Sequence, residues 1–103
     1  MLFEWDPKKA ISNFRKHGVD FKTALLVFAD KHALSIFDEY HSDKEDRWIT
    51  IGKIPIEKVL VVVHTDRIKS EHQEFTIRII SARLATKKEK NQYQSFYLDQ
   101  KSR

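Results

Sequence analysis

Beyond Asp30 the hydrophobic pattern of this chain turns to a period of two, and four strand-like runs follow one another at residues 33–37, 47–52, 58–64 and 74–82. The gaps between them are about 9, 5 and 9 residues. Gaps that short suit hairpins and are too short for the helical crossover that parallel neighbours need. A four-stranded antiparallel sheet is therefore predicted. In the third run Leu60 and Val62 are as apolar as Val59, Val61 and Val63. That strand is predicted to be central and covered on both faces.

Helical signals flank the strands. Asp6-Pro7 supplies an N-cap and a first-turn proline and Gly18 a stop, which predicts a helix over 7–16. Asp20 opens a second, over 21–29, in which Phe21, Ala24, Leu25 and Phe28 recur on one face. A closing helix over 86–98 is read from the Thr86/Glu89 capping-box spacing and the Tyr93, Phe96, Tyr97 stripe. Residues 1–5 are either an N-terminal strand or a segment tucked against the core. Two helices, four strands and a helix make an α+β fold, with the helices expected on one face of the sheet. At 103 residues the whole chain, 1–103, is predicted to be one domain.

Composition narrows the chemistry. There is no Cys, which removes thiol nucleophiles, thiolate metal sites and disulfides and fits a reducing compartment. The longest apolar run, residues 59–63, is far too short to span a bilayer, so the expectation is a cytoplasmic protein with no membrane role. His17, His32, His41, His64 and His72 are scattered without metal-ligand spacing, and with two Gly in the chain no phosphate-cradling glycine loop exists. Neither a metal nor a cofactor is expected. Charge is segregated: residues 30–46 hold six acids and two bases, net −4, whereas residues 78–90 hold five bases and one acid, net +4. A positive end suited to an anionic partner follows.

Several residues admit both a chemical and a structural reading. Lys9, Asn13, Lys16 and His17 form one stripe of the first helix, able to grip a phosphate backbone or simply to be a solvated face with His17 at the helix C-terminus. Arg78 and Arg83 put two guanidiniums into an otherwise apolar strand, where they suit a phosphate or the phosphorane of phosphodiester cleavage, or pair with acids of a neighbouring strand. Strict alternation sends the two to opposite faces; they share a site only if the strand bends near Ser81-Ala82. Arg47 is either a third anion ligand or the ion-pair partner of the acids just before it. Glu89 is a general base or a capping-box acid, and Tyr93 a stacking or proton-donating group or a core aromatic.

The runs Phe3-Glu4-Trp5-Asp6-Pro7, Lys16-His17-Gly18-Val19 and Val27-Phe28-Ala29-Asp30, with Lys9, Asn13, Phe21 and Ala24, are similar to the opening of BrnT-type toxins. Downstream, Asp46-Arg47-Trp48-Ile49-Thr50-Ile51-Gly52 resembles that family too, as do Leu60-Val61-Val62-Val63 with Arg67, and Arg78-Ile79-Ile80-Ser81-Ala82-Arg83 with Ala85-Thr86, Glu89 and Tyr93. The likeness covers about residues 2–97 in five ordered blocks. It implies the toxin half of a bacterial type II toxin–antitoxin pair, with a RelE-like fold and RNA cleavage that inhibits translation. It also implies a BrnA-type antitoxin that covers the toxin and alone contacts operator DNA. Lys90 stands where many relatives have Arg, keeping the charge without the fork.

The expected activity is metal-independent endoribonuclease chemistry, in which the ribose 2′-hydroxyl attacks the adjacent phosphate and leaves a 2′,3′-cyclic phosphate. Arg78, Arg83, Glu89, Tyr93 and His17 are the expected catalytic set; Lys9, Asn13, Lys16, Arg47 and Ser81 are the expected RNA contacts. The alternative is a noncatalytic subunit that binds antitoxin or nucleic acid. Direct DNA binding is disfavoured, since no helix-turn-helix is visible.

Overall fold

The computed structural model describes residues 2–69 and 74–101. Its elements in chain order are β1 (Leu2–Glu4), α1 (Pro7–His17), α2 (Phe21–Ala24), a 3₁₀ turn (Leu25–Ala29), β2 (Leu34–Phe37), a second 3₁₀ turn (Glu39–His41), β3 (Arg47–Ile54), β4 (Lys58–Lys69), β5 (Glu74–Leu84) and α3 (Lys87–Lys101). His72 lies outside the described residues.

The local signals act as their chemistry suggests. The Asp6 carboxylate accepts from the Lys8 N–H at 2.9 Å, Pro7 takes the first turn, and Gly18 ends α1 in the left-handed region at φ 69°, its N–H reaching the Phe14 carbonyl. Asp20 caps α2 the same way. The second helix is shorter than its apolar period implies: residues 25–29 tighten into a 3₁₀ turn. That turn presses on β3, where a Cβ placed on Gly52 would lie 2.8 Å from the Cβ of Val27. Glycine at 52 is what permits the approach.

Among the described residues the sheet has five strands, in the order β1-β5-β4-β3-β2. The predicted antiparallel meander from β2 to β5 is present, but residues 2–4 add a fifth strand parallel to β5, with Glu4 opposite Arg78. The sheet is thus mixed. Of the two readings of residues 1–5 the strand is the one found, at Leu2–Glu4, and its partner lies more than seventy positions away, where no local signal points. The doubly apolar β4 is central, as predicted.

The helices do not gather on one face. α1, α2 and the 3₁₀ turn cover the face formed by Leu60, Val62, Ile77, Ile79 and Ala82, with Phe21, Ala24 and Val27 wholly buried between. α3 crosses to the opposite face, where Tyr93 packs with Ala85, Ile51 and Val61. It covers one end of that face; at the far end Thr65 and Thr76 are also buried, and the middle, over the half-buried Ile49, Val63 and Ser81, stays open. A central strand apolar on both sides needs cover on both, and the closing helix supplies the second.

A polar chain runs through the covered face. The ring of His64, 3% exposed, lies 2.9 Å from Asp66 through Nδ1 and 2.6 Å from the Thr50 hydroxyl through Nε2, and Thr50 meets Ser35 at 2.8 Å. Burial is the strongest influence on His64 and lowers its pKa against the pull of Asp66. In the neutral ring Nδ1–H donates to Asp66, so Thr50 donates to Nε2 and Ser35 donates to Thr50.

Candidate functional site

The open face is organised by one irregularity. Opposite β4, Val63 pairs with Ser81 but His64 pairs with Ile79, so Ile80 is an extra residue on β5. The bulge changes the alternation of everything on one side of it. Arg83 lies opposite Val61 and Arg78 opposite Thr65. Val61 and Thr65 point to the same face of β4, so both arginines share it. Without the bulge Arg78 would point into the apolar layer under α1 and α2.

Register places the rest. One rung across the sheet reads Arg47, Thr65, Arg78, Glu4; the next reads Ile49, Val63, Ser81; the third reads Ile51, Val61, Arg83. The two arginines are therefore about 13 Å apart along the strand, four residues of β4 at about 3.3 Å each. Ser81 stands between them, over the half-buried Ile49 and Val63.

Each guanidinium has a resident carboxylate, and neither comes from a neighbouring strand. Arg83 grips Glu89 of α3 with both terminal nitrogens, at 2.7 and 2.8 Å. Glu89 also closes the predicted capping box: its Oε1 accepts from the Thr86 N–H at 2.8 Å and its own N–H donates to the Thr86 hydroxyl at 3.2 Å. Held by Arg83 first, and then by Thr86 against the opposing effect of burial, the Glu89 carboxyl falls to about 2. A group that acidic is a poor base at neutral pH. Arg78 pairs through Nη2 with Glu45, from the acidic segment before β3. Those acids precede Arg47 in sequence, but one of them serves Arg78.

The other expected site residues fall elsewhere. Asn13 is buried, not RNA-facing: its amide donates to the carbonyls of Val19 at 3.2 Å and Ala82 at 2.8 Å and accepts from the Ala82 N–H at 3.1 Å, fastening α1 to β5. Tyr93 is a core residue whose hydroxyl donates to Asp30 at 2.7 Å; burial, then Asp30, push its pKa well up, so it holds its proton. Lys9 and Lys16 are exposed and His17 half-buried, on the helical layer and not on the open face. Arg47, Arg78, Ser81, Arg83 and Glu89 are the group the fold assembles. Glu45, Thr65 and Thr76 join them unannounced, since nothing local in the sequence says that an acid before β3 or a hydroxyl of β4 or β5 shares a face with these guanidiniums.

Among the described residues no three His, Asp or Glu side chains converge as a metal site requires, and no helix is long and apolar enough to cross a membrane. A cavity of about 510 Å³ lies at the other end of β3, walled by Asp30, His32, Lys53, Tyr93 and Tyr97 among others. Its Asp30 is already spent on the N–H groups of His32 and Lys53 and on Tyr93.

The Arg83–Glu89 pair has a consequence for stability. A carboxyl held below its ordinary 4.5 stabilises the fold fully above that value, and the contribution is lost as pH falls through about 2. Arg83 is 39% exposed, so solvent screening reduces the effect to about 1–2 kcal/mol. Acid titration of the urea midpoint is expected to show a decline between these limits that Glu89→Gln removes. An unchanged acid limb in Glu89→Gln would show that the pair contributes nothing.

The chain matches the family model of the BrnT ribonuclease toxin of type II toxin–antitoxin systems over residues 5–89. Its fold is similar to the crystal structure of the Brucella abortus ribonuclease toxin BrnT, with a TM-score of 0.57 and 22% sequence identity, covering 84% of this chain and 100% of that one. No curated protein matches the sequence.

Proposed function

Because the chain belongs to the BrnT family, the ribonuclease toxins of type II toxin–antitoxin systems, we propose that it cuts RNA without a metal ion and so inhibits translation. The observation that carries the reading is the gathering of Arg47, Arg78, Ser81 and Arg83 on one open face by the bulge at Ile80. In the proposed step the ribose 2′-oxygen forms a bond to the adjacent phosphorus and the bond to the 5′-oxygen breaks. The 2′-hydroxyl loses a proton, the 5′-oxygen gains one, and the products are a 2′,3′-cyclic phosphate and a 5′-hydroxyl. Arg78 and Arg83 stabilise the negative charge that builds on the phosphorane, and Arg47 and Ser81 position the chain.

The groups expected from sequence to accept or donate protons contribute less. Glu89 is too acidic, and Tyr93 keeps its proton against Asp30. Most of the rate enhancement is therefore assigned to guanidinium charge. A BrnA-type antitoxin is proposed to cover the same face, since an acidic or amphipathic segment there satisfies the cations and excludes RNA together. Operator DNA is reached through that antitoxin alone, and the work is done in the cytoplasm.

The test incubates purified protein with a defined RNA in excess EDTA and identifies the product ends. Cleavage leaving cyclic phosphate, suppressed by added antitoxin, is the expected result. RNA that is retarded but stays full length, with and without translating ribosomes, would instead make the chain a noncatalytic binding subunit. Loss of cleavage in EDTA would overturn metal independence.

A further inference from the structure

We propose that the space beneath the acidic segment at residues 38–46 is a phosphate seat, floored by Thr65 and Thr76 and walled by Arg47 and Arg78, whose place is held by the Glu45 carboxylate until a phosphate displaces it. The inference rests on the ribonuclease reading and says where on the open face one backbone phosphate docks.

Four buried polar atoms lack any hydrogen-bond partner among the described residues: Nε of Arg47, Nε of Arg78, and the hydroxyl oxygens of Thr65 and Thr76. Thr65 and Thr76 are 1% and 2% exposed. All four belong to the open face and to adjoining positions: Thr65 stands between Arg47 and Arg78 on one rung, and Thr76 is two residues before Arg78 on β5. Orphaned buried donors are costly, and folds rarely concentrate them. Two guanidinium N–H groups and two hydroxyls in one place are what an anion rich in acceptor oxygens satisfies, and a phosphate is such an anion. A pocket of about 280 Å³ is lined by Tyr40, His41, Asp43, Lys44, Glu45 and Arg47, and so takes in Arg47 and the Glu45 that meets Arg78.

Glu45 is the resident anion. The segment 38–46 carries five acids against one Lys, so a positive face attracts it as it would attract RNA. Glu4 of β1 stands beside Arg78 on the same rung, and the two carboxylates that pair with the arginines differ in how they are held. Glu89 is built into the start of α3 through Thr86 and takes both Arg83 nitrogens. Glu45 sits in residues 42–46, which belong to no helix or strand. The carboxylate that yields to substrate is therefore Glu45, and Glu89 stays.

The test measures binding of inorganic phosphate, and separately of a short RNA with methylated 2′-hydroxyls that cannot be cut, to wild type, Glu45→Gln and Glu39→Gln. Glu39 lies in the same segment and its replacement makes the same change in net charge. Glu45→Gln is expected to bind both probes roughly fivefold or more tightly than wild type, and Glu39→Gln less than twofold. Glu45→Ala should repeat the gain, which guards against a folding effect of one substitution. A gain for RNA but not for phosphate would place the contact on the RNA chain rather than in a phosphate seat and overturn the proposal. Equal gains in the Glu45 and Glu39 variants would also overturn it, reducing Glu45 to general repulsion. Because neither probe is cleaved, the outcome is independent of activity. A phosphate gain without any cleavage by wild type leaves the seat standing and removes the ribonuclease reading, and cleavage without the gain does the reverse.

Discussion

Arg78→Ala is expected to slow cleavage of RNA by roughly 10²–10³-fold in single turnover, the loss typical when one preorganised donor to a developing oxyanion is removed. Arg78 reaches the open face by way of the bulge, stands on the rung shared with Arg47 and Thr65, and keeps its Nε without a partner. Its ion pair with Glu45 is about one-third exposed on the arginine side, so the truncation should change stability by about 1 kcal/mol or less. Rate and fold are thereby separated. Arg78→Lys keeps the charge but loses the fork and should recover a minor part of the rate. An Arg78→Ala protein that is folded and cleaves at the wild-type rate would remove this residue from the mechanism and leave Arg83 to carry the charge.

The largest effect on the fold is expected at Asn13. Its amide makes three hydrogen bonds in a buried place, two of them to the N–H and carbonyl of Ala82, as an adjoining strand would. β1 pairs with β5 only up to Arg78, so Asn13 stands in for a strand where the ladder has ended. Asn13→Ala removes those partners and leaves backbone groups buried and unsatisfied, a loss of about 2–4 kcal/mol. For a chain of this length that lowers the melting temperature by about 10–25 °C. Asn13→Asp should be no milder, because a carboxylate offers no donor to the two carbonyls. A melting temperature within a degree or two of wild type in Asn13→Ala would show that α1 is held by Ala10 and its apolar neighbours alone.

Asn13 also shows how a functional reading arises from a one-dimensional pattern. Spaced four residues from Lys9 and beside Lys16 and His17, it belongs to a polar stripe on a helical wheel. The wheel cannot say that β5 lies within reach. Tyr93 is the parallel case: its spacing with Phe96 and Tyr97 marks a packed stripe, while its hydroxyl partner, Asp30, is sixty-three positions away.

By itself the sequence determined what is local. Caps at Asp6, Asp20 and Thr86, the stop at Gly18, the hairpin-length gaps and the two-sided apolar run of β4 are each written in residues close along the chain. The forces behind them act over a turn of helix or a strand's width. The family likeness belongs here too, since it rests on residue order. The tertiary structure alone decided which residues share a face and which charges meet. β1 joined the sheet, α3 crossed to the second face, and Ile80 slipped out of register, each through contacts between segments distant in sequence. Arg78 and Arg83 read as opposed because alternation is a local rule; they stand together because one unpaired residue resets its phase. Glu45 and Glu89 became their partners because an ion pair depends on distance in space, which the order of residues does not contain.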